Sequence, residues 1–175
     1  MICNNSDKVR LRPIEKKDLS LIQKWRNTDS IQPFLREYRE MSLSHIENWY
    51  ENMILDNKFE FFLVEDSKTN PIGISGFTYI DWINKNADLH LAIYEKPWGD
   101  IKIGNEIMKI MLNYGFNFLN FHRIYAEIYE IDKDKIELFN LFDFKKDAIL
   151  RDHYYYKGKY TNSLIFSLLK NEYEK

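Results

Sequence analysis

The fold is decided by residues 87–106, which read ADLHLAIYEKPWGDIKIGNE. The stretch predicts a strand, then a short loop with two glycines, then the start of an amphipathic helix. Such a turn aims the unpaired N–H groups of a helix N-terminus beyond the end of the strand, where an anionic phosphate is favoured. Asp88 and His90 share one face of the predicted strand, because strand side chains alternate with a period of two. We therefore expect a phosphate-binding loop beside two groups that can transfer a proton.

The composition indicates a well-packed globular protein. The chain has 175 residues, of which 45% are apolar, and we expect one domain over residues 1–175. A net charge of −2 gives no reason to expect a nucleic-acid partner. The sequence shows no signal-peptide pattern and no stretch long enough to span a bilayer, and the single cysteine cannot form an internal disulfide. These features predict a cytoplasmic protein without a membrane partner. The histidines lack metal-ligand spacing, so we expect no metal.

Periodicity along the rest of the chain predicts a mixture of helices and strands. Predicted strands lie at residues 9–14, 59–64, 72–83, 87–94 and 123–130, with two more around the turn Lys157-Gly158-Lys159. Predicted helices follow Asp18, Ser44 and Asp132 as N-caps, and the longest covers residues 103–118. The long helix is expected to cross over between two parallel strands. We therefore expect an α+β fold, with a mixed, mostly antiparallel sheet of about seven strands and helices on both faces.

Three motifs at matching positions resemble one known family. They are VRLRPIEKKDL at residues 9–19, Trp25-Arg26-Asn27, and FDFKKDAILRDHYYYKGKYTNSLIFSLLKNEY at residues 142–173. In this order they resemble the GNAT superfamily of acyl-CoA N-acyltransferases. The branch in question contains ribosomal-protein N-terminal, spermidine and amino-sugar acetyltransferases. The resemblance implies an N-acetyltransferase that uses acetyl-CoA as cosubstrate and acts on a small-molecule primary amine.

The resemblance also implies where the cosubstrate binds. The pantetheine arm would lie along Ile93, Tyr94 and Glu95. The pyrophosphate would lie at the loop and first helical turn, formed by Gly99, Lys102, Ile103, Gly104 and Asn105, with Asp132 where the family has an asparagine. Lys102 stands in the place of the middle glycine of the family's loop motif. Its side chain could swing aside and add a positive charge, or it could obstruct the phosphates; alternatively, the loop is one residue longer here.

Two features bear on catalysis. Asp88 or His90 could remove the proton of the substrate ammonium, directly or through a water, although both could instead only pack at the start of their strand. The residue at the family's catalytic tyrosine position is Phe139, which has no proton to donate. A thiolate with a pKa near ~8.5 leaves tolerably well without an acid. Two hypotheses follow: a working acetyltransferase, or a binding module of the same fold that has lost catalysis.

The acceptor is predicted from a segment that in relatives covers the acceptor site. Trp25, Arg26 and Arg36 lie in it, and guanidinium groups match phosphate or carboxylate. A nucleotide-linked amino sugar is therefore our leading candidate for the acceptor. A protein N-terminus or a polyamine ranks second. The simpler alternative is a solvated arginine beside a buried tryptophan. Tyr154, Tyr155 and Tyr156 fit a strand pair or a homodimer contact better than a stacking site.

Overall fold

A seven-stranded sheet forms the centre of the molecule. A computed structural model describes residues 6–29, 31–35, 39–95 and 101–174. The strands lie in the order β1-β2-β3-β4-β5-β7-β6. Only β4 and β5 run parallel, and the other neighbouring pairs are antiparallel. This confirms the expected α+β fold with its mixed, mostly antiparallel sheet.

The strands and helices alternate much as their periodicity indicates. The strands are β1 Val9–Pro13, β2 Glu60–Asp66, β3 Pro71–Asp81, β4 Asn86–Ile93, β5 Arg123–Tyr129, β6 Lys145–Tyr156 and β7 Lys159–Leu169. The helices are α1 Leu19–Arg26, α2 Leu43–Leu55, α3 Ile101–Asn113, α4 Lys133–Leu141 and α5 Lys170–Tyr173. Short 3₁₀ turns lie at Lys16–Asp18 and Gln32–Phe34. A π-helical turn, Tyr114–Phe118, extends α3.

Helices cover both faces of the sheet because successive strand residues point to opposite sides. In β2, Phe62 and Val64 belong to the core beneath α3 and α4, whereas Leu63 belongs to the core beneath α1 and α2. The first core contains the buried stripe of α3, including Ile107 and Met111, both fully buried. The sheet is therefore the middle layer of three.

Two predicted helix boundaries needed correction. The N-cap of α2 is Ser42 and not Ser44: the Ser42 hydroxyl accepts from His45 N, and Ser42 N donates to His45 Nδ1. The imidazole ring thus takes the place of the glutamate of a capping box, which a search for acidic partners misses. The long helix also begins two residues earlier than the expected residue 103.

Arg12 joins the first strand, the second strand and the start of α1. Its Nη1 and Nη2 donate to the two carboxylate oxygens of Asp18 at 2.7 and 2.9 Å, and its Nε donates to Glu65 Oε1 at 2.6 Å. Asp18 and Glu65 are each only 6% exposed. The hydrogen bonds from Arg12 hold the pKa of Asp18 below its ordinary value. One guanidinium therefore neutralises two buried carboxylates.

Replacing Arg12 with methionine should destabilise the fold strongly. The change leaves Asp18 and Glu65 buried without their cation, and breaking such a pair costs about 3–5 kcal/mol of unfolding free energy. Urea unfolding at neutral pH measures the loss. Because the folded-state pKa of Asp18 is depressed, the contribution is present above the unfolded pKa of about 3.9 and disappears as the pH falls through the folded value. The unfolding free energies of the wild type and of Arg12→Met should therefore converge at acidic pH.

The matched control is Lys16→Met, which removes a pair with Glu51 whose side chains are 74% and 49% exposed. Exposed ion pairs contribute little to the unfolding free energy, so the unfolding midpoint of Lys16→Met should match that of the wild type. Equal losses in both variants would contradict the role assigned to Arg12.

Candidate active site

The two parallel strands, β4 and β5, separate after a short ladder. β4 and β5 pair only from Asn86–Arg123 to Asp88–Tyr125, although each strand continues for at least four more residues. Beyond this point a cavity of about 720 Å³ opens, and β4, β5, α1 and the start of α4 contribute to its wall. A strand edge that loses its neighbour presents N–H and C=O groups to whatever fills the gap. The gap thus suits an extended ligand with amide groups.

Asp88 and His90 line this cavity, as their shared strand face predicts. Asp88 is 8% exposed and sits at the last pair of the β4–β5 ladder. His90 contacts Phe61 edge-on, with ring centroids 5.4 Å apart, and its carbonyl oxygen accepts from Ser75 Oγ at 2.9 Å. The structure therefore brings a carboxylate and an imidazole to the point where the strands separate.

The residues after β4 and at the end of α1 form one wall. Ile93, Tyr94 and Arg26 line the cavity. Trp25 lies behind that wall: it is 3% exposed, stacks on Tyr94 at a centroid distance of 5.0 Å, and donates from Nε1 to Glu95 Oε1 at 2.5 Å. Trp25 therefore supports the end of β4 and is not among the residues that line the cavity, and its contact with substrate stays a prediction. Burial raises the pKa of Tyr94.

Arg26 is the cation of α1 at the cavity. Its Nε is buried and has no hydrogen-bond partner among the described residues. The other predicted acceptor residue, Arg36, lies outside the described residues. The burial of Trp25 fits the alternative of a solvated arginine beside a buried tryptophan, and Arg26 is partly exposed with only its Nε buried.

A cover over the cavity comes from residues 31–35. Ile31, Phe34 and Leu35 line it. The Tyr154 hydroxyl donates to Pro33 O, and the Tyr154 ring stacks on Tyr129 of β5 at 3.9 Å. The tyrosine cluster thus fastens the cover to β6 through Tyr154, whereas Tyr155 is 61% exposed.

The first turn of α3 holds the expected pyrophosphate residues. Lys102 is exposed, whereas Ile103 and Gly104 are buried. Asn105 has a buried Oδ1 without a hydrogen-bond partner among the described residues. None of these four residues lines the cavity described above. Gly99 lies outside the described residues.

The start of α4 forms the opposite rim. Asp132 lines the cavity and caps the helix, accepting from Lys135 N at 3.2 Å, and burial raises its pKa. Lys133 and Lys135 line the same rim. Phe139 is fully buried between Phe144 and Phe166, away from the cavity wall. The position that resembles a catalytic tyrosine therefore serves the core.

Sequence reasoning gave no role to two polar cavity residues of β5, Glu127 and Tyr129. Their signal was present: in RIYAEIY, residues 123–129, Ile124, Ala126 and Ile128 alternate with polar side chains. That alternation places Tyr125, Glu127 and Tyr129 on one face. In the described parts of the chain, no group of three or more His, Cys, Asp or Glu residues could hold a metal ion.

Comparison with known proteins identifies the family. A family model described as "Acetyltransferase (GNAT) domain" matches residues 8–144. The chain belongs to the GNAT acetyltransferase family. As a GNAT acetyltransferase it transfers the acetyl group of acetyl-CoA to an amine, which favours the enzyme over the binding module. No helix in the described ranges is both long enough and apolar enough to cross a bilayer.

Full-length relatives in the GNAT family include enzymes with a named substrate. The chain is 28% identical to the "Uncharacterized N-acetyltransferase p20" of Bacillus licheniformis over 174 residues, covering 96% of each chain. It is 25% identical to the spermidine N(1)-acetyltransferase of Vibrio cholerae over 168 residues, again covering 96% of each. It is 21% identical to the spermidine N(1)-acetyltransferase of Escherichia coli K12, covering 94% of this chain and 88% of that one.

Solved structures show the same GNAT fold. The Vibrio cholerae spermidine N-acetyltransferase in complex with CoA and spermine superposes with a TM-score of 0.84 at 24% identity, over 97% of this chain and 100% of that chain. Another structure of the Vibrio enzyme, with a TM-score of 0.78 at 23% identity, is described as dodecameric. It covers 96% of this chain and 97% of that chain.

Asp132 tests the construction of the α4 rim. Asp132→Ala removes the cap and should lower the unfolding free energy by about 1 kcal/mol. Asp132→Asn keeps an acceptor for Lys135 N and removes the cost of burying a charge, so its stability should equal or exceed that of the wild type at neutral pH. Thermal or urea unfolding measures both. A loss in Asp132→Asn as large as in Asp132→Ala would show that the negative charge itself is needed.

Proposed function

We propose that this acetyltransferase acts on a polyamine such as spermidine, bound beside acetyl-CoA in the gap between β4 and β5. The observation that most supports this proposal is the charge of the strand residues that line the gap. The described residues of β4 and β5 that line it include two carboxylates, Asp88 and Glu127, and no lysine or arginine. Carboxylates favour an acceptor that carries several positive charges. The names of the Vibrio and Escherichia relatives point to the same acceptor class.

Acetyl-CoA would occupy the part of the gap that leads to α3 and α4. Its pantetheine arm contains amide groups, so it would hydrogen-bond to the free edge of β4 near Ile93 as an added strand does. Its phosphates would lie at the N-terminus of α3, beside the first-turn residues Ile103, Gly104 and Asn105. Lys133 and Lys135 at the α4 rim add positive charge for the same phosphates.

The reaction would be a direct attack of the amine on the thioester. The acceptor arrives as an ammonium with a pKa near ~10.4 and must lose a proton before its nitrogen can attack. Asp88 or His90 would take that proton, directly or through a water. The nitrogen then bonds to the acetyl carbon, the carbon–sulfur bond breaks and CoA leaves as a thiolate, while the nitrogen gives up its second proton to water to form the neutral amide. Phe139 offers no proton, and the thiolate leaves without an acid.

A nucleotide-linked amino sugar is the second candidate acceptor. The observation in its favour is Arg26, which lines the cavity and whose buried Nε has no hydrogen-bond partner among the described residues. A guanidinium in that position could bind a phosphate of the sugar nucleotide. We place this acceptor below the polyamine because the strand walls are acidic and because the acceptor named among the relatives above is spermidine.

An acceptor panel tests the assignment. Spermidine, a nucleotide-linked amino sugar and an alanyl peptide at equal concentration should be acetylated in that order, with spermidine showing the highest kcat/KM. Release of CoA measures each rate. A panel in which the sugar nucleotide or the peptide reacts fastest would overturn the polyamine assignment and leave the acetyltransferase activity in place.

The proton acceptor is tested by neutral variants. Asp88→Asn should lower kcat by roughly 10²–10⁴-fold while leaving the affinity for acetyl-CoA little changed. His90→Gln provides the parallel test. The control is Asp7→Asn, the same change at an exposed site outside the cavity, which should retain full activity. If both cavity variants keep wild-type activity from pH 6 to 9, neither residue is the base.

A further inference from the structure

We propose that Glu127 binds the non-reacting ammonium group of the acceptor, and that His153 positions its carboxylate for this purpose. The proposal rests on the proposed function, because it assumes an acceptor with at least two amines. It assigns acceptor specificity to β5, whereas the proton-transfer candidates lie on β4.

Glu127 lies on the same side of the sheet as the proton-transfer candidates. Residues paired across a parallel ladder point to the same face, and Asp88 pairs with Tyr125. Glu127 is two residues after Tyr125 and so shares that face. Both Glu127 and Asp88 line the cavity, on opposite sides of the gap where the strands have separated. An acceptor in the gap would therefore lie between the carboxylates of Asp88 and Glu127.

His153 of β6 holds one oxygen of this carboxylate. Its Nδ1 lies 3.0 Å from Glu127 Oε1 and 2.9 Å from Ser163 Oγ. The Glu127 side chain is 12% exposed and the His153 side chain 49%, so the imidazole covers the carboxylate from the solvent side. Ser163 is fully buried. Nδ1 thus has its hydrogen bond with Ser163 Oγ and a close polar contact, short of hydrogen-bond geometry, with Glu127 Oε1, and this contact limits the rotamers open to Glu127.

A bulge in β6 puts His153 in this place. Leu150 pairs with Ser163 and Tyr154 with Thr161, so residues 151–153 lie opposite Asn162 alone. Asp152 has a φ of 51°, and its N donates to Asn162 Oδ1 at 3.1 Å. Bulges of this kind turn a side chain toward a site beside the strand. Here the two extra residues bring an imidazole across β7 to the cavity edge of β5.

The chemistry of a polyamine makes use of such a second carboxylate. The nitrogen that attacks must be neutral, whereas the other amines keep their positive charge at neutral pH. A buried carboxylate forms a strong charge-assisted hydrogen bond to an ammonium group. Glu127, on the opposite side of the gap from Asp88, can bind the charged amine while the neutral one reacts. A monoamine has no group for Glu127 to bind.

The test compares two amines that differ in charge. Wild type and Glu127→Gln are assayed with spermidine and with n-butylamine, a primary amine without a second charge. The variant should raise KM for spermidine by about 10-fold or more, with kcat and the KM for acetyl-CoA little changed. Its kinetics with n-butylamine should match those of the wild type. Glu137→Gln, the same change at an exposed position of α4, is the control and should match the wild type with both amines.

The positioning role of His153 is tested by its replacements. His153→Leu removes the donor and should raise KM for spermidine about 2- to 10-fold without changing kcat. His153→Asn places an N–H near the Nδ1 position and should restore most of the loss. The double variant Glu127→Gln/His153→Leu should show little further loss beyond Glu127→Gln, since the histidine acts through that carboxylate.

Each outcome separates this proposal from the proposed function. Turnover of spermidine by the wild type with an unchanged KM in Glu127→Gln would overturn the role of Glu127 alone. An equal loss with spermidine and n-butylamine would also overturn it, because a general disturbance of the site would then explain the effect. Absence of spermidine turnover in the wild type would overturn the polyamine function and this proposal together.

Discussion

The short ladder between β4 and β5 is the constraint on which the rest of the site depends. Three residue pairs hold the two strands together, and the crossover through α3 keeps them parallel. Past Asp88 and Tyr125 the strands diverge, which leaves backbone groups without a ladder partner on the neighbouring strand. Backbone polar groups are costly to bury without partners, so such a gap persists where water or a ligand satisfies them. A longer ladder would make a more regular sheet and remove the cavity.

Charge is distributed unevenly around this gap, and the distribution follows the chain. The described residues of the strand walls supply the carboxylates of Asp88 and Glu127 and no lysine or arginine, whereas the helix ends carry charges of both signs, with Arg26 on α1 and Asp132, Lys133, Asp134 and Lys135 at the start of α4. Helix ends lie at the rim of the sheet, where long basic side chains remain solvated. A cationic acceptor reaching the strands would meet carboxylates, and an anionic cosubstrate at the α4 rim would meet lysines that alternate with aspartates.

The sequence was sufficient for the fold and for part of the site. Period-two alternation predicted that Asp88 and His90 share a face, and helical periodicity predicted the buried stripe of α3. It could not predict the role of Trp25, because periodicity shows that a side chain is buried and not what it is buried against. Here the neighbour is Tyr94, nearly seventy residues away. Ser42 escaped notice because its capping partner is a histidine.

Glu127 shows which part of the site the sequence does not determine. The face of β5 on which it lies could be predicted, but its partner could not. The contact with His153 depends on β7 lying between β5 and β6, and on a bulge that displaces the pairing of β6. Both are properties of the assembled sheet. Strand order and bulges are set by the packing of the whole layer, and local patterns do not specify them.

The hydrogen bond from Tyr154 to Pro33 O joins positions 121 residues apart in the chain. Contacts of such long range form late, since the entropy of closing a large loop opposes them until other structure is in place. During synthesis the cover over the cavity cannot be fastened before β6 has left the ribosome. A chain interrupted earlier would therefore have the strands of the gap without the anchor of its cover. In this way the cover over the cavity depends on the hairpin of β6 and β7.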